Sequence, residues 1–364
     1  MMLVSSLIKT QSFKDKINRK FAEISGGLLG VVKPKRQQLL PKNYDLAPHL
    51  NYKQYGSTHY GVMIPDLPEP FRYLSWASVI GYVGFPITDS DYQLSKRGKG
   101  DTASLVHGTA LSKVEDAFKI YSINDDLIFS KNPFEVNFNN HTSLKEVEGG
   151  YLLKTNRDDL QLELKLKPTK SMTWFAYGPF YKHFSVMMHY QGQIIQNGQT
   201  IEINGLCTLE SWKAISTSML KNKFLVKHIQ LPVKIFSYQV INLDSEQQLL
   251  LAFICYEDQP ILTAIYYRHV DGISIQLNGN IVFEVTKNQT EHQVTPDGYK
   301  MRVPDTFKWV AHHDSEIILE IYAQVDTPYC YGLAAGFVSS YMWTGQFKGK
   351  KYKGRGYIEF IDRR

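Results

Sequence analysis

The sequence lacks the features that mark several common protein classes. It has only three Cys in 364 residues, Cys207, Cys255 and Cys330, and they are far apart with no Cys-x-x-Cys pair. This pattern argues against a disulfide framework or a zinc site and predicts buried free thiols in a reducing compartment. No run approaches the ~18 apolar residues of a membrane-spanning helix. The first ten residues also lack the order of a secretory signal, so we expect a cytoplasmic protein.

Motifs for nucleotide binding and for serine hydrolysis are also missing. The chain contains neither the Gly-x-x-x-x-Gly-Lys-Ser/Thr loop nor Gly-x-Ser-x-Gly, which disfavours P-loop enzymes and α/β-hydrolases. A Gly-x-Gly-x-x-Ala match begins at Gly98, but no strand precedes it. His183 and His189 offer two metal ligands without an evident third. We therefore expect no metal and no cofactor.

The sequence does show the pattern of residues that is typical of many short β-strands. Aromatic residues make up 13%, with 23 Tyr and 19 Phe, and these residue types favour pleated surfaces. Residues Leu160 to Lys167 alternate strictly between apolar and polar, and another strand is expected near Ile317 to Tyr322. Ile273 to Leu277, a turn at Asn278-Gly279-Asn280 and Ile281 to Val285 together predict a hairpin. The fold class predicted is all-β and mostly antiparallel.

The amino-terminal region differs from the rest. Apolar residues at helical spacing, surrounded by Lys and Arg, predict a helix over residues 5–25. Such a helix either docks on the protein's own surface or contacts an anionic membrane. Residues 33–50 hold three Pro and predict an arm leading to the globular part. The net charge of +6 permits an anionic partner without requiring one.

One pattern occurs twice in the second part of the chain. Each copy runs from Gly-Gln through a turn glycine and a second glycine to an apolar-Glu pair. The copies are Gly192-Gln193, Gly198, Gly205 and Leu209-Glu210, against Gly345-Gln346, Gly349, Gly354 and Ile358-Glu359. A repeated unit of this kind indicates two similar halves. We expect an arm at 1–50 and two barrels, at 51–218 and 219–364, each able to hold one ligand.

The ending, from Gly345-Gln-Phe-Lys-Gly to Gly354-Arg-Gly-Tyr-Ile-Glu359, resembles the terminal motif of the carotenoid hydratase (hydroxyneurosporene synthase) family and its uncharacterised bacterial relatives. The segment from Tyr238-Gln239 to Leu249-Leu-Leu251 also looks like that family, and the resemblance covers about Met172 to the end. It implies a tandem of two lipocalin-like barrels. It also implies a catalytic carboxyl group, and Glu210 stands where the family has an Asp, although the neighbouring aromatic and His of the family motif are replaced by Thr208 and Ser211.

These observations give one set of candidate residues and three candidate functions. Glu210 would act as an acid kept neutral by an apolar pocket. Ligand contacts are expected from five aromatic residues, Trp174, Tyr177, Trp212, Tyr238 and Trp343. The protein would bind an elongated apolar lipid or isoprenoid, modify such a ligand by proton transfer, or act as a peripheral membrane or interaction protein through residues 5–25. The cluster from Lys348 to Arg355 predicts a solvated strand face rather than a nucleic-acid site.

Overall fold

The computed structural model describes residues 26–27, 30–37, 39–48, 56–84, 87–88, 92–216, 233–256 and 259–364. The predicted helix at 5–25 and the predicted boundary after residue 218 lie outside these ranges. The helices with described bounds are single turns: α1 (Pro34–Gln37), α2 (Val114–Ala117) and α3 (Ile123–Asp126). Lys99–Asp101 forms a 3-10 turn. The described chain is otherwise strands and connections, which confirms the all-β, antiparallel fold class.

The first sheet has eleven strands, and its first strand pairs with its last. The strands are β1 (Ser57–Ile64), β2 (Leu74–Gly81), β3 (Thr102–Gly108), β4 (Phe118–Ser122), β5 (Leu127–Lys131), β6 (Phe134–Phe138), β7 (Thr142–Val147), β8 (Gly150–Asn156), β9 (Gln161–Tyr177), β10 (Tyr181–Gln196) and β11 (Gln199–Ala214). Their spatial order is β4-β3-β2-β1-β11-β10-β9-β8-β7-β6-β5. The β1–β11 pair therefore joins the two ends of this part of the chain.

The second sheet repeats that arrangement. In chain order come β12 (Val233–Asn242), β13 (Gln247–Tyr256), β14 (Gln259–His269), β15 (Ser274–Gln276), β16 (Asn280–Asn288), β17 (Gln293–Val294), β18 (Lys300–Met301), β19 (Pro304–His313), β20 (Glu316–Val325), β21 (Cys330–Leu333), β22 (Gly336–Phe347) and β23 (Lys350–Asp362). The order is β15-β14-β13-β12-β23-β22-β20-β19-β16, with β21 beside β22 and β17–β18 as a separate pair. Here β12 pairs with β23, as β1 pairs with β11. One sheet closes almost completely and the other is a half-barrel.

The repeated sequence pattern corresponds to a repeated hairpin. The turns between β10 and β11 and between β22 and β23 have positive φ at both central residues, Asn197 (51°) with Gly198 (74°) and Lys348 (49°) with Gly349 (77°). Two-residue turns of this hand match the twist of the flanking strands. Across the hairpins, Tyr190 lies opposite Gly205 and Trp343 opposite Gly354. The two halves thus place equivalent residues at equivalent points.

The predicted hairpin between residues 273 and 285 is wrong. Both strands exist, as β15 and β16, but β15 pairs with β14 and β16 pairs with β19. Gly279, between them, has φ +118°, and a Cβ there would lie 1.8 Å from the carbonyl oxygen of His312 on β19. The glycine therefore permits a close approach to a third strand rather than a tight turn.

Each sheet packs one face inward, and part of its outer face packs against the opposite half. On β9, Leu162, Leu164 and Leu166 are buried in the first core while the residues between them are exposed. Trp309 and Trp343 belong to the core of the second half. A further apolar cluster lies between the halves and includes Phe175, Tyr238, Leu250, Tyr266 and Tyr357. The two curled sheets therefore contact each other through their outer faces.

The closing strand β23 offers a test of this packing at two glycines on one face. A Cβ at Gly356 would lie 2.4 Å from the Tyr341 ring, whereas a Cβ at Gly354 would make an ordinary 3.5 Å contact with Trp343. Gly356→Ala should lower the free energy of unfolding by about 1–3 kcal/mol, because the ring must move within a packed core. Gly354→Ala is the matched control and should change it by less than about 1 kcal/mol. Urea unfolding measures both, and equal losses would contradict the register.

Candidate functional site

A cavity of about 130 Å³ lies between the two halves, and we call it the interbarrel cavity. Residues from both sheets line it, so neither half forms it alone. Most of the lining is apolar: Val79, Phe175, Trp212, Phe236, Ala252 and Ile254 are representative. Six titratable side chains, His59, Tyr181, His183, Glu210, Tyr238 and Glu359, interrupt this apolar wall. An apolar pocket with a few convergent polar groups is the usual form of a small-molecule site.

Strand register brings the polar side chains of the first half together. On β11, Trp212 lies opposite His59 of β1 on one side and opposite His183 of β10 on the other. Glu210 lies one step along the same face, with the small residues Gly61 and Ser185 opposite it. Because neither neighbour fills the space, both imidazoles can lean toward the carboxyl group.

Glu210 is held by a chain of two hydrogen bonds. Its Oε1 atom lies 2.6 Å from Nε2 of His183, and Nδ1 of His183 lies 3.0 Å from the Tyr181 hydroxyl. Glu210 is 4% exposed. A buried carboxylate requires partners of this kind, since an unpaired charge in an apolar environment is costly.

His59 flanks the same carboxyl group in a neutral form. Its Nδ1 donates to the carbonyl oxygen of Ser78 at 2.6 Å, which leaves Nε2 without a proton and 3.9 Å from Glu210 Oε1. Burial lowers the pKa of His59 to about 4, against the opposing attraction of Glu210. The ring stacks on Trp212 at 5.6 Å. His59 thus completes the wall without adding a charge at neutral pH.

Glu210 retains one unsatisfied oxygen that faces a tyrosine. Burial would raise the pKa of Glu210, but His183, with smaller contributions from His59 and Tyr238, brings it below the ordinary value. Glu210 Oε2 and the Tyr238 hydroxyl are both buried, and neither forms a hydrogen bond of normal geometry with any described residue. An unpaired carboxylate oxygen and an unpaired hydroxyl therefore lie at one end of the interbarrel cavity.

Glu359 is the second buried carboxyl group at the cavity, and its pKa is shifted in the opposite direction to that of Glu210. It occupies the position on β23 that Glu210 occupies on β11, and it lies opposite Tyr238 of β12. The Tyr357 hydroxyl donates to its Oε1 atom at 3.0 Å. Burial, reinforced by the negative charge of Glu210, raises the pKa of Glu359 well above its usual range. The pKa values of the two carboxyl groups are therefore displaced in opposite directions, and Glu359 is the one for which burial favours the protonated form.

The structure brings together three of the six sequence-predicted site residues. Glu210, Trp212 and Tyr238 line the interbarrel cavity. Trp174 lies in the core of the first half, where its Nε1 donates to the carbonyl oxygen of Pro41 at 2.7 Å. Tyr177 packs on Trp174 at a centroid distance of 4.8 Å. Trp343 is buried in the core of the second half. Glu210, predicted as a neutral acid, instead has the lowered pKa of a base.

Sequence reasoning missed His59, Tyr181 and Glu359 as site residues. The apolar-Glu repeat did mark Glu359 as the counterpart of Glu210, so that signal was present. The predicted common face of His183 and His189 does not bring them to one site. His183 lines the interbarrel cavity while His189 is exposed. Pairing with β11 is regular between them, so they share the outer face of β10 but lie six residues, roughly 20 Å, apart along the strand.

The other sequence-predicted sites look different in the structure. Lys351 and Lys353 are exposed, as expected of a solvated face, but Arg355 is largely buried and pairs with Asp326 at 3.0 Å. None of the three Cys forms a disulfide, and all are buried. No group of three or more His, Cys, Asp or Glu side chains in the described ranges is placed to hold a metal ion. Within those ranges no helix has the length and apolar composition needed to cross a bilayer.

Comparisons with known proteins show similarity in fold and give no information about the chemistry of the site. A family described as "Family of unknown function (DUF6670)" matches residues 77–364. A crystal structure of a Nitrosomonas europaea protein provisionally called AttH aligns with a TM-score of 0.61 and 16% identity, over 92% of this chain and 99% of that one. CghA with Sch210972 aligns at 0.43 and 6% identity, over 84% and 88%. A search of curated proteins finds no match. At these identities the likeness concerns the fold alone.

The two carboxyl groups predict opposite effects of pH on stability. The neutral form of Glu359 is favoured in the fold, so its contribution is complete below its unfolded pKa and is lost as the pH rises toward its folded pKa. Glu359→Gln should remove this loss. Above pH ~4.5 the free energy of unfolding of the variant should therefore rise relative to that of the wild type, by up to about 1.4 kcal/mol per pH unit. Urea unfolding between pH 5 and 8 measures the difference.

Glu210→Gln is the matched control, with the opposite sign. Its lowered pKa means that its contribution is present above its unfolded pKa and is lost on acidification. The free energy of unfolding of this variant should therefore fall below that of the wild type as the pH rises to about 5, and it should stay below at higher pH. Parallel pH profiles for wild type and Glu359→Gln would show that Glu359 is ionised in the fold.

Proposed function

Because this chain belongs to the DUF6670 family, a family of unknown function, we propose its function from its own geometry: it binds an apolar small molecule in the interbarrel cavity. The observation that carries the proposal is an apolar wall contributed by both halves and interrupted by the polar side chains of His59, His183, Glu210 and Glu359. Burial of ligand CH₂ groups would supply about 0.8 kcal/mol each, and the polar end would fix the orientation.

The size of the cavity limits which part of a ligand it encloses. Its volume of about 130 Å³ is close to the roughly 150 Å³ of an apolar protein cavity that accepts benzene. The cavity therefore suits a six-membered ring or a chain end of similar volume. An elongated lipid or isoprenoid, as expected from the sequence, would place one end here and extend outward.

Filling the cavity should abolish binding without unfolding the protein. Ala252 lines the cavity, and Ala252→Leu places three carbon atoms in it. We expect binding of cyclohexane, followed by ligand-observed NMR, to fall at least tenfold while the melting temperature is unchanged or higher. Ala77→Leu is the control, because Ala77 is buried in the same interface and does not line the cavity. It should lower the melting temperature instead. Undiminished cyclohexane binding by Ala252→Leu would contradict the proposal.

Proton transfer to such a ligand is the second candidate. It is favoured by the presence in one cavity of a carboxyl group with a lowered pKa and another with a raised pKa, since divergent pKa values in one site often mark a base and an acid. In this reading Glu359 donates and Glu210 accepts, with His183 orienting Glu210. The resemblance to carotenoid hydratases agrees with chemistry of this class.

Hydrogen exchange of the natural ligand tests this second candidate. Native mass spectrometry of protein from cells would identify a co-purified molecule, which is then incubated with the protein in D₂O. The wild type should introduce deuterium into carbon–hydrogen bonds, and Glu210→Gln and Glu359→Gln should each slow this by about 100-fold or more. Glu202→Gln, at an exposed position, should exchange as the wild type does. A wild type that binds the molecule without exchange would leave binding as the function.

A further inference from the structure

The unsatisfied atoms at the polar end of the interbarrel cavity specify a ligand group. Glu210 Oε2 and the Tyr238 hydroxyl are buried, and neither forms a hydrogen bond of normal geometry with a described residue, although the Tyr238 hydroxyl is near enough to help lower the pKa of Glu210. The two side chains are 4% and 2% exposed, and both line the cavity. Buried polar atoms are nearly always paired in folded proteins, and an unpaired one calls for a specific explanation. A donor and an acceptor left open at one wall indicate a bound group that satisfies both.

The chemistry of the two atoms is complementary. Because Glu210 Oε1 already accepts from His183 at 2.6 Å, Oε2 of the carboxylate remains as an acceptor. The Tyr238 hydroxyl can donate its proton. A hydroxyl oxygen both donates and accepts, whereas a ketone or ether oxygen only accepts.

We propose that the polar end of the interbarrel cavity binds the hydroxyl group of a neutral apolar alcohol, which donates to Glu210 Oε2 and accepts from the Tyr238 hydroxyl. This inference rests on the proposed function, since the apolar wall must hold the remainder of the molecule. It also excludes fatty acids as ligands in this orientation. A ligand carboxylate would meet the negative charge of Glu210 in a cavity with little water to screen it.

A matched series of ring-sized probes tests the inference on the full-length protein. The probes are cyclohexanol, cyclohexanone, methylcyclohexane and cyclohexanecarboxylate, titrated at pH 7.5 by ligand-observed NMR. Cyclohexanol should bind about fivefold more tightly than cyclohexanone, as one extra hydrogen bond allows, and at least about fivefold more tightly than methylcyclohexane, which forms neither hydrogen bond. Cyclohexanecarboxylate should not bind. Equal affinity for cyclohexanol and methylcyclohexane would overturn the inference and leave apolar binding intact, while failure of all four probes would overturn both.

A tyrosine variant and its control test whether the preference for cyclohexanol depends on the Tyr238 hydroxyl. Tyr238→Phe should reduce cyclohexanol affinity about fivefold and leave methylcyclohexane unchanged. Tyr341→Phe is the matched control, because the Tyr341 hydroxyl is also buried and unpaired but belongs to the core of the second half. It should leave every affinity as in the wild type. A cyclohexanol affinity that survives Tyr238→Phe, or falls equally in Tyr341→Phe, would refute the assignment.

Glu210→Gln should reverse the order of the probes. The amide introduced by this substitution can accept from His183 with its oxygen and donate into the cavity with its nitrogen. Cyclohexanone would then accept from both the new amide nitrogen and the Tyr238 hydroxyl, and should bind at least as tightly as cyclohexanol. An unchanged preference for cyclohexanol in this variant would contradict the role of Glu210 Oε2. If the variant does not fold, the comparison of Tyr238→Phe with Tyr341→Phe decides the question.

Discussion

Contact between the outer faces of the two sheets is the physical feature that shapes both halves of the protein. β11 is buried continuously from Leu206 to Ala214 and β23 from Arg355 to Asp362, so both faces of each strand are hidden from water. A side chain on the outer face must then be apolar or find a polar partner. Arg268 satisfies this by donating to Ser185 at 3.1 Å across the interface, and Glu210 satisfies it through His183.

The two halves have the same closure but different side chains at equivalent points. His59 lies opposite Trp212, whereas Phe236 lies opposite Ile361 at the corresponding place in the second half. The first half thus supplies the hydrogen-bonded polar group around Glu210, while both halves supply the apolar wall. The two carboxyl groups are kept in both halves, and their different surroundings displace their pKa values in opposite directions. A site of this kind requires both halves, because neither carboxyl environment exists without the other.

The sequence was sufficient to predict the fold class and three of the residues that line the interbarrel cavity. Strict alternation at Leu160 to Lys167 and the glycine pattern predicted antiparallel strands and two similar closures, because period-two patterns and turn glycines are local signals. Glu210, Trp212 and Tyr238 were identified by their neighbours in sequence. His59 was not identified, and His183 was considered only as a metal ligand, because both reach Glu210 through strand register, which depends on pairing between distant segments. The same non-local pairing separated β15 from β16.

We place the proposed ligand site between the halves and not within either one. Diffraction from crystals equilibrated with xenon locates such a site, because xenon enters apolar cavities of this size. We expect a xenon peak in the interbarrel cavity, bounded by Phe175, Trp212 and Ala252 and next to Glu210, and no peak there in Ala252→Leu. Xenon bound only inside the core of either half, with none between them, would contradict this placement.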